Sequence, residues 1–271
     1  MLNTLRVFAL LALLTGILLG LGYLLGGFYG ATLALLLSFG MNFFAYWYSD
    51  TIVLNMYRAK ELKDSKIKRM VRELSKEAGI PEPKLYVINT DVPNAFATGR
   101  DPKHSAVAVT RGLLQHLSPN EIRGVLAHEL SHIKNRDTLV STVAATIAGA
   151  VTWLAHMLGW ALLSGRDRDA GGAIFMMIFA PLAAGLIRMA ISRSREFQAD
   201  ETGAKISGKP LDLASALRKI EAIARQRPLQ INEATSHLFI INPLGSLQGL
   251  FSTHPPTEER IRRLERLAKG K

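Results

Sequence analysis

Forty-three consecutive residues, 7–49, separate Arg6 from Asp50 without one Asp, Glu, Lys, Arg or His. A bilayer core takes about 20 apolar helical residues per crossing, so this run has room for two. Gly26-Gly27-Phe28-Tyr29-Gly30 divides it into predicted spans at about 7–26 and 31–51. Phe28 and Tyr29 at one end, with Tyr46, Trp47 and Tyr48 at the other, match interfacial aromatic belts. The run is too long for a signal peptide, and no Ala-x-Ala site follows it. A second apolar region opens at Thr138, where His156 is the one ionisable group before Arg166, and resumes from Ala170 to Ile187. Arg166-Asp167-Arg168-Asp169 breaks it into predicted spans at about 139–163 and 171–191, the latter kinked at Pro181.

Between and after these hairpins the pattern is that of a folded polar domain. Leu85-Tyr86-Val87-Ile88 and Ala106-Val107-Ala108-Val109 predict short strands. Ser118-Pro119-Asn120-Glu121 is a capping box with proline at the first helical position. Ile122, Val125, Leu126 and Leu130 follow at helical spacing, predicting a helix over about 119–136. No Gly or Pro interrupts residues 125–148, so this helix is expected to run straight into the third span. The fold class that results is mainly α, a four-span helical membrane protein with a cytoplasmic α+β domain. Residues 1–56 form the first hairpin and 57–138 the first part of the domain; 139–191 form the second hairpin and 192–271 the second part.

Charge orients the chain. Lys and Arg total 33 against 22 acids, for a net charge of +11. Eight of the basic residues lie between Arg58 and Lys76, straight after the first hairpin, and Arg6, Lys134, Arg136, Arg188, Arg193 and Arg195 flank the other predicted inner ends. The outer loops carry either no charge or the balanced Arg-Asp-Arg-Asp segment. The positive-inside rule then puts both termini and the polar domain in the cytoplasm. The basic run has no interleaved aromatics and no nucleic-acid motif, which argues against nucleic acid and for a lipid bilayer as its partner. The chain has no cysteine, which excludes disulfides and thiolate metal sites.

The chemistry lies in Ala127-His128-Glu129-Leu130-Ser131-His132. His128 and His132, at i and i+4, share one helix face and can hold one zinc ion, with Glu129 placed to act on its water as general base. A catalytic zinc takes a third protein ligand, for which Asp137, Glu196, Glu201, His237 and His254 are available outside the spans. Asp137, five residues past His132 on the same predicted helix, is too constrained to close a tetrahedron. Glu196 is followed at i+4 by Asp200, a carboxylate that could orient a ligand imidazole. Two crossings in 139–191 would return Glu196 to the side of the histidine pair.

These motifs, in this order, resemble the HtpX-type membrane zinc endopeptidases, relatives of the CAAX prenyl proteases. The segments that carry the resemblance are His128-Glu129-Leu130-Ser131-His132, Glu196-Phe197-Gln198-Ala199-Asp200, Thr253-His254-Pro255-Pro256 through Arg260, and Asn94-Ala95-Phe96-Ala97-Thr98-Gly99. The resemblance covers nearly the whole chain. It implies a zincin-like domain with one zinc ion on His128, His132 and Glu196, Glu129 as base, and Asp200 behind a ligand histidine. It places His254 near the metal, for oxyanion stabilisation or gating, whereas Asn94 fits a turn residue. It also implies a bacterial inner-membrane enzyme acting on misfolded or damaged membrane proteins in stress response and quality control. One of the two strands would offer an edge to extended polypeptide substrates. The alternatives are a specialised processing protease of the CAAX type and a non-catalytic zinc-binding scaffold, which would have no need of Glu129.

Overall fold

A computed structural model of the chain describes residues 2–147, 193–226, 238–241 and 255–270. The N-terminal helical run, α1 (Leu2–Trp47), is broken at Gly26 and Gly27 into arms Leu5–Leu24 and Gly26–Trp47. Gly27 has φ 56°, a conformation open to glycine and costly for other residues. The arms fold back so closely that a Cβ on Gly30 would lie 2.1 Å from the Gly22 carbonyl oxygen. Further along, Asn42 Nδ2 donates to Thr15 Oγ1 at 2.9 Å. Leu24, Phe28, Tyr29 and Phe39 are exposed, as lipid-facing side chains would be. These two arms are the helices long and apolar enough to cross a membrane among the described residues. Of the second predicted hairpin, residues 139–147 are described and the rest lies outside the described residues, as do His156 and His237.

Helix α2 (Ser49–Met56) leads to β1 (Lys60–Glu61), α3 (Ser65–Ala78), β2 (Lys84–Ile88), β3 (Ala95–Asp101), β4 (His104–Thr110) and the short α4 (Arg111–His116). The sheet order is β1-β2-β4-β3, with β2 and β4 parallel and both outer strands antiparallel. The two predicted strands are therefore both interior. The edge on the side of the histidine motif is β3, whose Phe96 stands opposite Ala108 of β4. In Ala95–Asp101 the strand-favouring Phe96 and Thr98 are diluted by alanine, glycine and aspartate, and pairing with β4 makes the segment a strand.

The motif helix α5 (Pro119–Lys134) packs Val125, Leu126 and Leu130 into the domain core, with Leu74 of α3, Val107 and Val109 of β4, and Leu213 and Leu217 of a later helix. It does not run on into the membrane region. Asn135 caps it, Arg136 takes φ 57° without being glycine, and a new apolar helix, α6, begins at Thr138 and is described to Ile147. Three more helices complete the described fold: α7 (Arg193–Ser207), α8 (Pro210–Gln226) and α9 (Thr257–Ala268).

Glu121 joins the start of α5 to α8. Its carboxylate accepts from the Ser118 amide at 2.8 Å, Ser215 Oγ at 2.6 Å and Lys219 Nζ at 2.8 Å. Burial opposes its ionisation, but these partners outweigh burial and hold the carboxyl down at about 2. A carboxyl depressed on folding contributes stability above its unfolded value near 4.5 and loses it as pH falls towards 2. Glu121→Gln is expected to cost about 1–3 kcal/mol near neutral pH. In thermal melts in detergent, the gap from wild type should narrow as pH drops through 4.5.

Candidate metal centre

Helix α5 carries His128, Glu129 and His132 on the face turned towards α7, with His128 and Glu129 almost fully buried. Two glycines let neighbouring helices approach. A Cβ on Gly203 of α7 would lie 2.9 Å from the His128 Cα, and one on Gly124 would lie 2.8 Å from the Leu213 nitrogen of α8. Glu196 and Asp200 precede Gly203 by seven and three residues, about two helical turns and one along the same face. The glycine contact therefore brings both carboxylates to the histidines. Ser131 Oγ reaches the Ala199 carbonyl oxygen at 3.0 Å and ties the two helices at that level.

Three donor atoms converge. His128 Nε2 lies 3.2 Å from His132 Nε2, Glu196 Oε2 lies 3.8 Å from His128 Nε2, and Glu196 Oε1 lies 3.6 Å from His132 Nε2. Tetrahedral coordination with bonds of about 2.0–2.1 Å spaces its ligand atoms about 3.3 Å apart. The set of two imidazoles and one carboxylate suits zinc in both chemistry and spacing. Behind the first imidazole, Asp200 Oδ1 stands 2.9 Å from His128 Nδ1. Asp200 is itself clasped by buried Arg260 of α9, with Nε to Oδ2 at 2.8 Å and Nη2 to Oδ1 at 2.7 Å. Arg260 Nη1 also donates to the Ile240 carbonyl at 2.8 Å.

Electrostatics separates the two rings. Burial, helped by the Arg260 charge and against the Asp200 hydrogen bond, pulls His128 down to about 4, so it is a neutral donor at pH 7. For His132 burial acts in the same direction but is outweighed by Asp137, Glu196 and Glu129, which raise it to about 9. A divalent cation on Nε2 would reverse that preference, since imidazole ligates in its neutral form. Burial also lifts Glu129 to about 7, with the Glu196 charge adding to it, and the Glu129 carboxylate accepts the Ala97 amide of β3. The edge strand thus touches the motif glutamate directly. Ala97, Leu238, Phe239 and Ile240 also line the cleft, as do Asp137, Thr138 and Ser141 at the start of α6.

Residues 61–268 match the sequence profile described as Peptidase family M48. The chain belongs to this peptidase family. M48 relatives named Protease HtpX homolog are similar over almost their full length. The one from Thermococcus sibiricus is 54% identical, over 98% of this chain and 96% of its own. Those from Sulfurihydrogenibium sp. and Pyrococcus furiosus are each 53% identical, over 99% and 97% of this chain and 97% and 95% of their own. The fold is similar to that in the crystal structure of S. mikatae Ste24p, at TM-score 0.52 and 18% identity, covering 97% of this chain and 65% of that one. Family and relatives make the chain a membrane metalloprotease.

Of the residues that sequence reasoning put at the site, His128, His132, Glu129, Glu196 and Asp200 come together. His254 lies outside the described residues. Asn94 is buried and structural, its Nδ2 donating to the Ile241 carbonyl at 3.0 Å and its Oδ1 accepting the Ala95 amide. Glu201 points away, paired with Lys205. Arg260 was missed, and Asp137, weighed only as a ligand, stands behind His132 on the Nδ1 side of the ring.

Proposed function

We propose that this chain is a zinc endopeptidase of the cytoplasmic membrane, with its site on the cytoplasmic face, hydrolysing misfolded or damaged membrane proteins. His128, His132 and Glu196 would hold the zinc and Asp200 would orient His128. The observation that carries the reading is the convergence of two imidazole nitrogens and one carboxylate beside buried Glu129. Zinc bound there supplies Lewis acidity, polarising the scissile carbonyl and acidifying the attacking water. Glu129 takes the proton of that water and passes it to the leaving amine. Its carboxylate is aimed by the Ala97 amide, so the β3 edge that would pair with an extended substrate also sets the base. Main-chain pairing makes cleavage tolerant of side-chain identity, which fits quality control better than processing of one motif.

The apolar runs support four spans and the charge pattern cytoplasmic termini, and α6, separated from α5 by three residues, supports a site close to the membrane surface. His254 keeps the role of an oxyanion or gating residue in this reading. The test uses purified full-length protein in detergent with casein and a destabilised membrane protein as substrates. Cleavage of both should stop with a zinc chelator and return on stoichiometric zinc. Cleavage that survives complete zinc removal would refute the assignment, and hydrolysis confined to a prenylated peptide would favour the CAAX-type alternative.

A further inference from the structure

Each of the two histidines has an Asp–Arg pair behind it, α7 giving one residue to each pair while the other comes from α9 or from the start of α6. Behind His128 stand Asp200 and Arg260, from α7 and α9. Behind His132, Asp137 Oδ2 lies 3.5 Å from Nδ1, and Asp137 Oδ1 lies 3.6 Å from Arg195 Nη1. Asp137 heads α6: its carbonyl accepts the Ser141 amide, the first bond of that helix. The left-handed turn at Arg136 swings it back, its amide donating to the His132 carbonyl at 2.9 Å. Helix α6 is seated against the first apolar arm, with Val140, Val143 and Ile147 in one buried cluster with Val7, Leu10 and Leu14. The same helix grips the edge strand, Thr142 Oγ1 lying 3.0 Å from Thr98 Oγ1 with both residues fully buried.

A ring that ligates through Nε2 carries its remaining proton on Nδ1, and a carboxylate accepting that proton fixes the ring's rotation and strengthens it as a donor. We propose that Asp137 is the positioning residue for His132, and that through it the seating of α6 against the N-terminal apolar hairpin sets how tightly the site holds its metal. The inference rests on the zinc site proposed above. It makes the apolar hairpin part of the metal site's support as well as an anchor, because a shift of α6 moves the Asp137 carboxylate and the Thr98 end of the edge strand together.

The experiment uses full-length protein in detergent micelles, with zinc affinity read by competition against a chromophoric chelator and ligand geometry read from the visible spectrum of the cobalt(II) form. Asp137→Asn keeps a side chain able to start a helix but removes the charge. It is expected to weaken zinc about 10- to 100-fold and to change the cobalt bands. Val143→Ala alters no polar group and should weaken zinc about two- to thirtyfold. The double variant should be no weaker than Asp137→Asn alone, because both act through one carboxylate. Unchanged affinity and cobalt spectrum in Asp137→Asn, or additive effects, overturn the proposal. If Asp137→Asn fails to fold by circular dichroism, unchanged affinity in Val143→Ala overturns it alone. A wild type that binds no zinc overturns the underlying site instead.

Discussion

Glu129→Gln is expected to keep its zinc and to cleave casein about a hundred- to ten-thousandfold more slowly than wild type. The amide matches the carboxylate in size, and its oxygen can still accept the Ala97 amide, so the metal donors and the β3 edge stay in place. What it cannot do is take up a proton. The pH profile supplies a second signature. Burial raises the Glu129 carboxyl to about 7, and a bound cation beside it would draw that value down. The base works deprotonated, so kcat/KM should climb with pH through a limb at or below 7. The residual rate of the variant should lack that limb. Zinc-loaded wild type and variant that degrade casein at the same slow rate would mean that Glu129 is no base, and the scaffold alternative would stand.

The ligand pair was legible because a helix converts i, i+4 spacing into contact, and α5 announces itself through its capping box and apolar periodicity. Glu196 was less so. It lies 64 residues beyond His132, and the Gly203 contact that brings α7 onto α5 is a property of two surfaces meeting. The expectation that Asp137 continues the α5 helix fails. The residue is not on the α5 helix at all, because Arg136 adopts a left-handed turn that no Gly or Pro marks. Arg260 did leave a trace. It falls in line with Ile261 and Leu264 on the buried face of α9, while Arg262, Arg263 and Arg266 face outward. A lone arginine on an apolar stripe asks for a buried carboxylate, and Asp200 is that carboxylate. The β3 edge stayed hidden for the opposite reason, since alanine and glycine say little until a partner strand claims them.

Arg260 therefore carries the second large expectation, and it separates charge from shape. Its guanidinium is 1% exposed, makes two hydrogen bonds to Asp200 and lies 3.4 Å from His128 Nε2. Arg260→Met fills the space but leaves Asp200 buried without its counter-charge, a loss of about 3–5 kcal/mol when one partner of a buried pair is removed. The unneutralised Asp200 then draws a proton onto His128, whose affinity for protons Arg260 now suppresses. Since zinc needs the neutral ring, the pH midpoint of zinc binding should move upward in Arg260→Met. Arg260→Lys keeps a positive charge but not the planar fork that spans both Asp200 oxygens, so it should fall between the two. Pairing Arg260→Met with Asp200→Asn removes both charges and should return much of the lost melting temperature while zinc binding stays weak, because His128 has lost its carboxylate. A zinc-binding midpoint that does not move in Arg260→Met would show that the arginine braces the helices and leaves the metal ligand alone.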